Sequence, residues 1–96
     1  MGKKVVIIGA GVSGLSAGIY ALQAGYSVEI YEKNKMPGGE CAGWNRQGYH
    51  IDNCINFLVG CNKDEQLYKM WENLGVLSDS LEIYREPYFI VWKWTG

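Results

Sequence analysis

Three observations in the first third of the chain predict an α/β fold built on a parallel βαβ unit. An unbroken apolar run, Val5-Val6-Ile7-Ile8, flows directly into Gly9-Ala10-Gly11-Val12-Ser13-Gly14. Apolar residues then recur at helical spacing. A second β-rich segment, Ser27-Val28-Glu29-Ile30-Tyr31, ends at an acidic residue, Glu32. Strand, glycine turn, helix, strand and acid in that order is the plan of a Rossmann-like dinucleotide-binding unit.

The elements follow in order. After Lys4, residues 4–8 show no polar alternation, which predicts a central parallel strand covered on both faces. Residues 12–24 read as a helix, with Val12, Leu15, Ile19 and Leu22 at intervals of three and four. Gly25 supplies the left-handed residue that ends it. Residues 27–31 form the second strand, with Val28 and Ile30 turned inward. Two parallel strands joined by such a helix make a right-handed crossover. Residues 34–48, with Pro37 and several glycines, read as a loop. A second helix is expected over 64–74, with Leu67, Met70, Trp71 and Leu74 as a packing stripe, Asn62 or Asp64 as cap and Gly75 as terminator. Residues 81–85 and 88–94 read as two strands of an antiparallel sheet, broken at Glu86-Pro87.

Composition narrows the function classes. Ninety-six residues make one small domain at most. A net charge of −1 offers no electrostatic footprint for nucleic acid or an anionic membrane surface. No stretch approaches the roughly 20 apolar residues needed to cross a bilayer. The amino terminus superficially resembles a secretory signal, but its apolar run breaks into the regularly spaced glycines of a phosphate turn. Cys41, Cys54 and Cys61 form no C-x-x-C pair, and their odd number fits a reduced, cytoplasmic protein better than a disulfide framework. His50 is the single histidine, so no metal site is expected. The chain closes on an aromatic strand-like run, Tyr88-Phe89-Ile90-Val91-Trp92-Lys93-Trp94, which suggests the amino-terminal piece of a longer protein.

Each residue of the turn has a physical task. Gly9 allows the tight bend out of the strand, where a side chain would clash, Gly11 the close approach of a pyrophosphate, and Gly14 the packing of helix on strand. Gly18 extends that smooth face. The helix start offers unpaired N–H groups, from Val12 and Ser13 among others, to phosphate charge. No G-x-x-x-x-G-K-[ST] arrangement is present, so this is not a nucleoside-triphosphate loop. Glu32, eighteen positions after Gly14, is placed to accept hydrogen bonds from adenosine ribose and to repel a 2′-phosphate. The bland alternative for Glu32 is a solvated strand-end residue.

NAD and FAD share this unit, and the following segment bears on the choice. Met36-Pro37-Gly38-Gly39-Glu40-Cys41-Ala42-Gly43-Trp44 follows the second strand, and Gly48-Tyr49-His50-Ile51-Asp52 leads to Asn56-Phe57-Leu58-Val59-Gly60. With the opening unit, these residues resemble flavoproteins of the phytoene-desaturase and amine-oxidase superfamily, in the microbial branch carrying G-G-x-C-x-G-W. The resemblance covers about the first 60 residues. It implies an FAD-dependent oxidoreductase, with Gly38 and Gly39 along the cofactor and Cys41 close to it. Many relatives carry arginine where this chain has Glu40, so a cationic flavin contact there is not carried over. On this reading residues 1–80 are the amino-terminal part of an FAD-binding domain. Residues 81–96 open a substrate-domain sheet, and the small-molecule substrate is held mainly by sequence beyond Gly96. Two alternatives stand beside it. One is a non-catalytic module like Rab escort and GDP-dissociation-inhibitor proteins, which share a G-G-E sequence. The other is an NAD-binding dehydrogenase domain.

Overall fold

A computed structural model describes residues 2–54 and 58–84. Its first part is the expected βαβ unit. Strand β1 (Lys4–Ile8), helix α1 (Val12–Gln23) and strand β2 (Ser27–Tyr31) follow one another, and β1 pairs in parallel with β2. The register sets Val5 opposite Val28 and Ile7 opposite Ile30. These four side chains share one face of the sheet, and α1 packs on it. Gly18 makes the packing close: a Cβ there would lie 3.1 Å from Ile30 Cδ1 and 3.4 Å from Val28 Cγ1. The other face differs from the sequence expectation. Val6 and Ile8 are exposed, so within the described residues β1 is covered on one side rather than two. Continuous apolarity reads as two buried faces, but it reports what the strand can tolerate rather than what a chain of this length supplies.

Helix α1 stops as its sequence predicts. Gly25, at φ +90°, donates to Leu22 O, and Tyr26 N–H donates to Ala21 O. Those two bonds form a Schellman cap, which satisfies carbonyls that the helix end leaves open.

The loop expected over 34–48 contains more structure than that. A 3₁₀ turn covers Gly39–Cys41, and strands β3 (Gly43–Arg46) and β4 (Tyr49–Asp52) form an antiparallel hairpin. Two residues connect them, Gln47 at φ +51° and Gly48 at φ +81°. Two successive positive φ angles make the mirror-image turn that suits the twist of paired strands. Every residue of both strands is exposed, so among the described residues the hairpin owes nothing to a hydrophobic core.

Helix α2 (Gln66–Asn73) is shorter than the expected 64–74. Its N-cap is Glu65, which makes no side-chain cap bond, so neither Asn62 nor Asp64 caps it. Asn62 instead donates from Nδ2 to Glu65 Oε1 at 2.8 Å, and its carbonyl accepts from Glu65 N–H. Gly75 ends the helix as expected, donating to Glu72 O while Val76 N–H donates to Trp71 O. The predicted stripe faces α1 across an apolar groove of about 260 Å³. Gln23 Nε2 ties the two helices at Asn73 O, 2.8 Å away. The most buried side chains nearby lie off that stripe, at Tyr68 and Leu77. Of the two strands expected near the end, residues 81–84 have no regular secondary structure, and the rest lies outside the described residues.

Candidate functional site

The turn between β1 and α1 is organised around one residue, Ala10. Ala10 is buried, at 5% exposure, although it sits between two of the motif's glycines. Its N–H donates to Glu32 Oε1 at 2.9 Å, and its carbonyl accepts from Gly38 N–H at 2.7 Å. Next to it, Gly9 N–H donates to Tyr31 O at 2.7 Å and continues the strand pairing into the turn. The turn, the acid and the glycine pair are far apart in sequence, yet they meet at this residue.

The glycines divide the work differently from the sequence expectation. A Cβ on Gly9 would meet nothing within 4 Å, so steric clash is not what requires glycine there. The requirement is conformational: φ is +103°, a region that side chains disfavour. Gly14 is the residue fixed by space. A Cβ there would lie 2.1 Å from Gly9 O and 3.2 Å from Ile7 Cγ2. Gly14 thus lets α1 press directly onto the turn, as its place in the motif predicts.

Gly11 is the N-cap of α1, with extended backbone and no side-chain cap bond. The first N–H groups of a helix have no partner within it. Those of Val12 and Ser13 therefore remain available at the positive end of the helix dipole. They border an open depression of about 490 Å³ that is also lined by Gly9, Gly11, Gly38 and Cys41. Gly39, at φ +57°, lies against Gly11. A Cβ on Gly39 would lie 3.1 Å from Gly11 Cα, so the two backbones approach as only glycines can.

Glu32 is neither free nor fully solvated. Besides Ala10, it accepts from Asn34 N–H through Oε2 at 2.8 Å. The bond from Ala10 N–H, then that from Asn34 N–H, holds its carboxyl below the usual carboxylate range. Each carboxylate oxygen can accept a second bond, so ribose hydroxyls remain within its chemistry. Sequence reasoning assigned Glu32 to the ligand and missed its hold on the turn. The Gly38 N–H, for its part, is committed to Ala10 O. No group of three or more His, Cys, Asp or Glu side chains suited to a metal occurs among the described residues. No helix among them is long and apolar enough to cross a membrane.

Comparison with known proteins agrees with this geometry. The family model described as "NAD(P)-binding Rossmann-like domain" matches residues 7–74. Phytoene desaturase of Fusarium fujikuroi is 30% identical over 98% of this chain and 16% of its own length. Zeta-carotene desaturase of Zea mays is 34% identical over 75% of this chain and 12% of its own. 4,4'-Diaponeurosporene oxygenase of Staphylococcus aureus is 33% identical over 92% and 17%. The chain therefore spans about a sixth or less of the length of these relatives. Their names agree with the resemblance carried by the glycine turn and the G-G-x-C-x-G-W segment. From the turn, the parallel βαβ unit and the matched family, the chain belongs to the NAD(P)-binding Rossmann-like domain family, on the side of the phytoene-desaturase superfamily.

Proposed function

We propose that this chain is the FAD-binding amino-terminal portion of a flavoprotein oxidoreductase of the phytoene-desaturase type. The observation that carries the reading is the convergence at Ala10, where Glu32 and Gly38 fix the turn in front of an uncapped helix start. In this reading Val12 and Ser13 present their N–H groups to the cofactor pyrophosphate. Gly11 and Gly39 keep that approach clear of side chains, and Glu32 accepts from the adenosine ribose while holding the turn. Its charge disfavours a 2′-phosphate, and hence NADP. Gly9, Gly14 and Gly38 act by shaping the turn.

FAD supplies the redox chemistry when bound; these residues supply position and electrostatics. The full-length protein transfers hydride equivalents between a carbon–carbon or carbon–nitrogen bond and the flavin. Residues 1–80 belong to the cofactor domain and 81–96 open the substrate domain. The small-molecule substrate meets residues beyond Gly96. An odd number of cysteines with no C-x-x-C pair supports a reducing compartment such as the cytoplasm.

The test is the absorbance of the purified full-length protein. A flavin spectrum, with FAD released on denaturation, is the expected result. A colourless protein that takes up no added FAD but binds NAD, or a lipidated protein partner, overturns the proposal.

A further inference from the structure

The base of the β3–β4 hairpin carries a feature that cofactor binding leaves unused. The ladder runs from Arg46 opposite Tyr49 to Gly43 opposite Asp52. One residue further on, Asn53 N–H donates to Ala42 O at 3.2 Å and preserves the same pairing. Cys41, the last residue of the 3₁₀ turn, and Cys54 flank that bonded pair on the side away from the hairpin turn. The Cys41 sulfur lies beside the Cys54 thiol, and both residues are exposed. Asn53 Nδ2 pins this end by donating to Glu40 O at 3.0 Å and Glu40 Oε2 at 3.2 Å. A disulfide needs Cα atoms about 4.4–6.8 Å apart, a separation that residues flanking a paired position across two strands can meet.

We propose that Cys41 and Cys54 are a redox-active dithiol that closes into a disulfide across the base of the hairpin, by exchange with a low-molecular-weight disulfide. The inference is independent of which dinucleotide the chain holds. Cys41 thiolate attacks one sulfur of the reagent disulfide, and a thiolate leaves with the bonding pair. Cys54 then gives up its proton, attacks the Cys41 sulfur and expels the second thiol. Two protein thiols are oxidised by two electrons, one reagent disulfide is reduced to two thiols, and the two protons end on those thiols. Partial desolvation, the neighbouring Cys41 sulfur and the Glu40 carboxylate push the Cys54 thiol up. Cys41 also borders the depression in front of the turn, so the linkage fixes one wall of the candidate cofactor site.

Loop closure makes the pairing diagnostic. Along an unfolded chain, Cys54 and Cys61 are separated by seven positions and Cys41 and Cys54 by thirteen, so a random chain favours the 54–61 link. The intact protein is treated with oxidised glutathione, alkylated, digested and mapped by mass spectrometry, folded and in urea. The folded protein is expected to give a 41–54 link that dithiothreitol reverses, with Cys61 present as a single glutathione adduct or free. In urea the preference shifts toward 54–61. Cys61→Ser retains the 41–54 link, and Cys54→Ser leaves a glutathione adduct on Cys41. Separate adducts on Cys41 and Cys54 of the folded wild type, or a 54–61 link formed as readily as 41–54, overturn the proposal.

Discussion

The turn around Ala10 and the β3–β4 hairpin are held by opposite means. The turn is closed by bonds between residues distant in sequence, from Ala10 to Glu32 and from Gly38 back to Ala10. Its glycines are required by a positive φ at Gly9 and by contact at Gly14 and Gly39. The hairpin is closed by its own neighbours. Its turn is local, its strands are exposed, and its side-chain bonds run within it: Asn45 Oδ1 and Asp52 Oδ1 flank the two ring nitrogens of His50, each at 2.9 Å. Gly43 leaves room for that cluster, since a Cβ there would lie 2.9 Å from Asp52 Oδ1. A site made of backbone groups needs non-local closure, because its geometry must hold before any ligand arrives. An exposed hairpin has no such demand and is fixed by register and turn alone.

Substitutions should separate the two regions. Gly14→Ala carries the largest expected effect. Its new Cβ meets Gly9 O, whose peptide plane also carries the Ala10 N–H bonded to Glu32, so a destabilisation of about 3 kcal/mol is expected in denaturant unfolding. A variant as stable as wild type would contradict the contact. Glu32→Ala comes second and acts on binding. ADP affinity by calorimetry should fall roughly tenfold, from lost ribose bonds and a loosened turn together. Gly48→Ala probes the hairpin. Placing a side chain in the left-handed region should cost about 1 kcal/mol, while ADP affinity stays unchanged. A binding loss there as large as that of Glu32→Ala would erase the distinction between the regions.

The smallest effect expected is one of pH. The folded-state pKa of Glu32 lies below its ordinary value of 4.5, so its contribution is fully present above that value. It is lost as pH falls through the lowered folded value. Thermal midpoints of wild type and Glu32→Ala should therefore converge on acidification below about pH 4. A gap that persists there would assign the effect to packing instead.

The βαβ unit was legible because each of its residues is constrained by a rule of fixed spacing. Gly9, Gly11, Gly14, Gly25 and Glu32 could be placed from the sequence, down to the strand bounds and the helix stop. The hairpin was not legible. Its turn puts Gln47, not asparagine or aspartate, at positive φ, and its strands lack the alternation that a buried face imposes. A run of glycines and polar residues between two predicted elements then reads as a loop. The bond from Ala10 to Glu32 was equally hidden, because hydrogen bonding between a backbone amide and a distant side chain leaves no periodic trace. The same holds for Cys41 and Cys54, which become neighbours only once the hairpin register is known. Tyr68 and Leu77 show the limit of helical stripes, since burial there is set by the connecting loops rather than by helical period.

The most direct test of the Ala10 junction is amide hydrogen exchange at Ala10, compared between wild type and Glu32→Ala. Slow exchange in the wild type, lost in the variant while the amides of β1 stay protected, is the predicted result. Equal protection of Ala10 in both proteins would mean that Glu32 does not hold the turn, and would contradict the account.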